Sequence, residues 1–251
     1  YLRNCFKKKN SRNLIFLSGD STAFSLVPTI ENKSLKENFL YIAKDGMLIT
    51  PNISYRKKNN IFSENRLIES EFEKIKDYFH KASENYEKNY FVISNLFFTI
   101  LFSDDLKVYY KGKILYSEQE KIQALKLSLN RMVNSFDKKN NSFIIVKNYN
   151  FLINYKKCKI KALFDENYKC RFNYSQLRSN YKMVNKILED LENRNSNVRI
   201  FDPTKYLCDR KKDLCNIKSS EYGIISFDGI HLSGEAAKKL GVNFRSYLDQ
   251  F

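Results

Sequence analysis

Short apolar runs alternating with helix-length amphipathic segments constrain this chain more than any other feature. The runs are Leu14 to Leu17, Asn38 to Ala43, Tyr90 to Ser94, Ser142 to Val146 and Val198 to Phe201. Tyr90-Phe91-Val92-Ile93 has no polar position in its alternation, the pattern of a strand covered on both faces, as in a parallel sheet. Between the runs the sequence predicts helices. One covers Ser63 to Tyr86, with Leu67, Ile68, Phe72, Ile75 and Phe79 on one side. A second opens at the capping box Ser117-Glu118-Gln119-Glu120 and carries Leu125, Leu129, Met132 and Val133 inward. Others run from about Gln176 to Glu192 and onward from about Gly234. Strands joined by crossovers of this length lie parallel, and such crossovers are right-handed. The expected fold is α/β, a three-layer α/β/α sandwich over a mainly parallel sheet of roughly five strands.

The functional candidates stand where such a sheet concentrates its chemistry, at the carboxyl ends of strands. The first run drives into Gly19-Asp20-Ser21, followed by the first turns of a helix from Thr22 to Val27. A serine at that junction stands clear of the sheet beside unpaired helix-start amides, the position of a nucleophile with an oxyanion site. Gly46 ends the second strand in a turn whose amide can approach a ligand closely, and Asn95 ends the third as a possible amide donor. Near the other end, Asp228 and His231 are three apart, a spacing that lets the carboxylate hold one ring nitrogen and leaves the other free to take a serine proton. Each has a bland alternative: a turn at Ser21, a strand-ending Gly46, an Asn95 that turns the chain, a helix cap beside a surface histidine at 228–231. His80, with no motif around it, reads as a packing or surface histidine.

The 251 residues, 43% hydrophobic with only 7 Gly and 3 Pro, contain no linker or repeat, so a single domain over 1–251 is expected. Tyr149 to Cys170 reads as irregular loops. The net charge of +16 comes from dispersed lysines, which argues for a solvated surface or attraction to anionic membranes and polysaccharides and against a specific nucleic-acid role. Cys208 with Cys215, and Cys158 with Cys170, bracket short polar segments and suit two short-range disulfides in an oxidising compartment. Unpaired thiols are the alternative; a zinc site is disfavoured because no Cys-x-x-Cys occurs and neither histidine adjoins a pair. Cys5 is left over. No apolar run is long enough to span a bilayer. The start at Tyr1, without methionine or signal peptide, suggests a piece of something longer.

Taken together, Gly19-Asp20-Ser21 and Asp228-Gly229-Ile230-His231 resemble the SGNH (GDSL-like) hydrolase superfamily. With Phe201-Asp202-Pro203, Leu207-Cys208-Asp209, Cys215 and Tyr222-Gly223, the chain is more narrowly similar to the extracytoplasmic SGNH domain fused behind a membrane acyltransferase of family three. The resemblance implies a Ser21, His231, Asp228 triad and an oxyanion hole from the Ser21 amide, Gly46 and Asn95. It implies O-acyl transfer, of acetyl or another short acyl group, to cell-surface carbohydrate such as lipopolysaccharide, on the periplasmic side of a bacterial inner membrane. The acyl donor would arrive from a fused or associated membrane domain, with membrane association through the missing N-terminal region; no cofactor or metal is expected. An esterase with the same triad and a non-catalytic polysaccharide-binding module are the alternatives. Thr22 departs from the His or Asn that commonly follows the serine, and no clear Gly-x-Asn-Asp surrounds Asn95.

Overall fold

A computed structural model describes residues 3–57, 68–147, 158, 171–176, 181–226 and 228–250. Six strands form the main sheet: β1 (Arg3–Lys7), β2 (Asn13–Gly19), β3 (Asn38–Ala43), β4 (Lys88–Ser94), β5 (Asn141–Val146) and β6 (Val198–Phe201), in the spatial order β1-β3-β2-β4-β5-β6. Five are parallel, as the apolar runs predict, and β1 pairs antiparallel with β3 at one edge. From β2 the chain goes to one side for β3 and to the other for β4. This is a topological switch point, where a crevice opens at the carboxyl ends of an open α/β sheet.

Alternation along the strands sorts the core into two layers. Ile15, Leu17, Val92 and Ile144 face helices α1 (Ser21–Ile30) and α5 (Gly234–Leu248). Phe16, Phe91, Ile93, Phe143 and Ile145 face α2 (Phe72–Ser83), α3 (Glu118–Asn134) and α4 (Lys182–Arg194). Each such side chain, fully withdrawn from water, contributes about 1.5–3 kcal/mol before entropy is counted. The capping box at Ser117 and Glu120 is present and starts α3. His80 is exposed, and its ring stacks on Phe136 at 5.2 Å.

Helices α1 and α5 lie against each other over the first layer. Thr29 Oγ1 donates to the Ala237 carbonyl at 2.8 Å, and a Cβ on Gly241 would come within 2.4 Å of the Asn32 Cβ. Only a residue without a side chain permits that approach.

One sequence expectation is corrected. The helix expected over 63–86 begins at Phe72, because Ile68 exchanges backbone hydrogen bonds with Tyr55 (3.0 and 2.8 Å) and is extended; residues 63–67 lie outside the described set. Of the helix expected from about Gln176 to Glu192, 174–176 are helical and a helix runs Lys182–Arg194, with 177–180 outside the described set. The sequence reading missed β1 and a three-stranded antiparallel sheet of Ile53–Lys57, Leu106–Tyr110 and Lys113–Leu115.

Cys208 and Cys215 face each other across an antiparallel hairpin and are joined by a disulfide, with Cα atoms 4.4 Å apart. Cys158 is disulfide-bonded as well; Cys170, its expected mate, lies outside the described residues, as does most of 149–170. Cys5 is a free, exposed thiol. Closing so short a loop restricts the unfolded chain, so replacing Cys208 and Cys215 with Ser is expected to cost about 2–3 kcal/mol. Urea midpoints of the variant and the oxidised parent measure it; equal midpoints would refute the estimate.

Candidate active site

Ser21 is the first residue of α1, and Asp20 is its N-cap. Asp20 organises the turn with both oxygens. Oδ1 accepts from the Thr22 amide at 2.9 Å and from the Thr22 hydroxyl at 2.7 Å, while Oδ2 accepts from the Leu96 amide at 2.8 Å. The Thr22 hydroxyl also meets Ser94 Oγ at 2.7 Å. One carboxylate thus ties the end of β2, the start of α1 and the segment after β4 into a single unit, and Thr22 is a working part of it. Ser21 is left half-buried, and its own amide has no acceptor among the described residues.

His231 approaches from the loop before α5. Its Nε2 lies 2.8 Å from Ser21 Oγ, and its Nδ1 lies 2.5 Å from Asp228 Oδ2. Asp228 Oδ1 accepts from the amides of Ile230 and His231, each at 2.8 Å. Ser226, buried beneath, accepts from the Gly229 amide at 2.9 Å and steadies the turn. The two amides at Oδ1 fix the carboxylate so that Oδ2 meets the ring. With Nδ1–H donating to Asp228, the Nε2 lone pair accepts the Ser21 proton.

Burial pushes the Asp228 carboxyl up, but hydrogen bonds from the His231 amide and ring and from the Ile230 amide outweigh it and bring it down to about 2. A depressed carboxyl stabilises the fold above its ordinary unfolded value and loses that contribution as pH falls through its folded value. Asp228 therefore contributes fully above about pH 4 and progressively less toward pH 2. Unfolding midpoints of the parent and Asp228→Asn should differ at pH 6 and converge near pH 2; a constant difference would contradict the pairing.

The other two candidates sit on the same rim. Gly46 lies in the turn after β3 at φ +65°, and its carbonyl accepts from the Tyr55 hydroxyl at 2.9 Å. Asn95 directly follows β4. It is fully buried, and its Nδ2 donates to the Met47 carbonyl at 2.9 Å, which ties it to the Gly46 turn. Its Oδ1 has no partner among the described residues. An amide nitrogen carries two hydrogens, and the Met47 carbonyl accepts one of them. The sequence could not reveal Met47, Ser94 or Tyr55 as partners, because these contacts join separate strands and loops. Among the described residues, no group of three or more His, Cys, Asp or Glu is placed to hold a metal ion, and no helix is long and apolar enough to cross a membrane.

A main sheet of mostly parallel strands between helical layers defines the class of three-layer α/β/α folds, and here it brings Ser21, His231 and Asp228 into one hydrogen-bonded line. Within that class, the family of SGNH domains fused to AT3 domains matches residues 2–246, and the chain belongs to it. The periplasmic domain of a lipopolysaccharide acetyltransferase from Salmonella ser. Paratyphi A shares the fold at TM-score 0.55 and 15% identity, over 96% of this chain and 85% of that one. A GDSL-like lipase from Bacteroides thetaiotaomicron matches at TM-score 0.48 and 10% identity, over 95% and 88%. An acetylxylan esterase from Geobacillus stearothermophilus matches at 0.40 and 10%, over 95% and 94%. Among curated proteins, none matches the chain.

Proposed function

We propose that residues 1–251 act as a single serine-dependent O-acyltransferase domain, moving acetyl or another short acyl group onto cell-surface carbohydrate. The observation that carries this reading is the continuous line Ser21 Oγ, His231 Nε2, His231 Nδ1, Asp228 Oδ2, with contacts of 2.8 and 2.5 Å. His231 takes the Ser21 proton as Oγ attacks the acyl carbonyl. The tetrahedral oxyanion is held by the Ser21 amide, the Gly46 amide and the free hydrogen of Asn95 Nδ2. His231 then protonates the leaving group, and the acyl group rests on Ser21 as an ester. A sugar hydroxyl gives its proton to His231, attacks that ester and leaves acylated; Ser21 is regenerated.

Membership of a family fused to AT3 domains supports a donor delivered by a membrane acyltransferase domain. The Cys208–Cys215 disulfide supports an oxidising, extracytoplasmic location such as the periplasmic face of the inner membrane. Water in place of the sugar hydroxyl would make the same site an esterase. Incubating the domain with an acyl donor, with and without a glycan acceptor, separates the two: acylated sugar is expected, and free acid alone would refute transfer. A serine-reactive phosphonate should add mass to the parent and not to Ser21→Ala; equal labelling would remove Ser21 as the nucleophile.

Asn95 gives a further expected result. Asn95→Ala strips the Met47 carbonyl of its buried donor and costs about 1–3 kcal/mol of stability, while turnover falls about 10²–10³-fold. Melting curves and turnover measured together test it; lost stability with undiminished turnover would take Asn95 out of the oxyanion hole.

A further inference from the structure

The turn proposed to offer its Gly46 amide to the oxyanion lies at the surface: Lys44, Asp45 and Gly46 are all exposed. A glycine populates positive and negative φ about equally, so contacts, not the residue, hold Gly46 at +65°. Within the turn, the Met47 amide donates to the Lys44 carbonyl at 2.9 Å. Its two ends are tied to the main sheet: the Lys44 amide donates to the Gly19 carbonyl at 3.3 Å, and Asn95 Nδ2 donates to the Met47 carbonyl at 2.9 Å. At the tip, Asp45 and Gly46, one side chain among the described residues bonds the backbone. It is Tyr55, whose hydroxyl donates to the Gly46 carbonyl at 2.9 Å.

Tyr55 is itself firmly held. Its backbone exchanges hydrogen bonds with Ile68 on one side (3.0 and 2.8 Å), and Val108 stands directly opposite on the other. The residue is 6% exposed and packs in the core layer that also contains Met47, Leu48 and Val108. A side chain fixed at backbone and ring moves its hydroxyl little. The fit at the far end is close, since a Cβ on Gly46 would lie 3.1 Å from that hydroxyl. Burial, and then the charge of Asp20, push the phenol up, so it stays protonated and donates. The second cause also places Tyr55 within electrostatic reach of the residue that caps the Ser21 helix.

We infer that Tyr55 is a positioning residue for acyl transfer: its hydroxyl pins the tip of the Gly46 turn and keeps the Gly46 amide aimed at the oxyanion. The antiparallel sheet of Ile53–Lys57, Leu106–Tyr110 and Lys113–Leu115, which takes no part in the chemistry above, is the mount that holds it. This rests on the oxyanion role proposed for Gly46. A donor displaced by about 1 Å costs up to about 10²-fold in rate.

Tyr55→Phe removes one oxygen and keeps the ring. Water replaces the lost donor at the exposed Gly46, so the melting temperature should fall by no more than about 2–4 °C. Turnover of an ester substrate should fall at least about tenfold with KM unchanged, since the oxyanion exists only beyond the ground state. Replacing Tyr55 with 4-aminophenylalanine returns a donor to the same point and should restore most of the loss. Leu129→Ala, elsewhere in the same core layer, is the structural control: it should melt earlier than Tyr55→Phe while its folded fraction turns over as the parent does. In amide ¹H–¹⁵N spectra, the Gly46 and Met47 peaks should move in Tyr55→Phe and return with the amino analogue. Unmoved peaks, or lost stability with undiminished turnover, would overturn the inference. Parent-like turnover of Tyr55→Phe with Ser21 still labelled by the phosphonate would do so too and leave the triad standing. A parent that the phosphonate fails to label would sink the catalytic reading itself, whatever the peaks do.

Discussion

Asp228→Asn is expected to lower turnover about 10⁴-fold with little change in KM. The reason lies in the donors around the carboxylate. Oδ1 accepts from two backbone amides, of Ile230 and His231, so the carboxamide oxygen of Asn must turn toward them. Its NH₂ then faces His231 Nδ1, where Oδ2 now stands. The ring answers by accepting at Nδ1 and carrying its proton on Nε2, opposite Ser21 Oγ. A protonated Nε2 cannot take the serine proton. The opposite rotamer sets two N–H donors against an NH₂ group and is worse. Turnover of an ester substrate by the two proteins decides the matter; activity within about tenfold of the parent would show that Asp228 does not set the ring tautomer.

Gly19→Ala is expected to abolish the fold. Gly19 ends β2 at φ +152°, and a Cβ there would lie 1.7 Å from the Ser94 carbonyl oxygen and 2.7 Å from its carbon. Both are backbone atoms of the neighbouring central strand, held by the β2–β4 ladder and by the Asp20 amide, which donates to that carbonyl at 3.2 Å. No side-chain motion relieves the overlap, and parting the two central strands costs more than about 4 kcal/mol. Gly112→Ala is the contrast: φ is +80°, but nothing lies within 4 Å of its Cβ, so only local strain of about 1–2 kcal/mol is expected. Circular dichroism melts of both variants test the difference, and a parent-like melt for Gly19→Ala would contradict the packing at the switch point.

The parallel strands were legible because burial on both faces leaves no room for polar residues, as in Phe91-Val92-Ile93, each fully buried. β1 was not, because an edge strand with Cys5, Phe6 and Lys7 exposed carries no such constraint. The start of α2 was misread because Ile68 fits the helical period, while its partner Tyr55 lies on another strand. At the candidate site, Ser21, Asp228 and His231 stand in local patterns that sequence can display. The supports do not: Thr22 meets Ser94 across 72 positions and Asn95 meets Met47 across 48. Such contacts are products of topology, and no spacing rule announces them.

The docking of α5 on α1, made possible at Gly241, also sets a timetable. Ser21 leaves the ribosome 210 residues ahead of His231, its hydrogen-bond partner and, in the proposed mechanism, its base. A nascent chain can collapse its early strands and still hold an unarmed hydroxyl, chemically silent toward activated esters it meets on the way. On the proposed mechanism the serine gains its base only when α5 settles, because the loop carrying His231 arrives with it. Contacts so distant in sequence form slowly. On that mechanism, phosphonate labelling of Ser21 after synthesis should follow helix docking, not the earlier closure of the sheet.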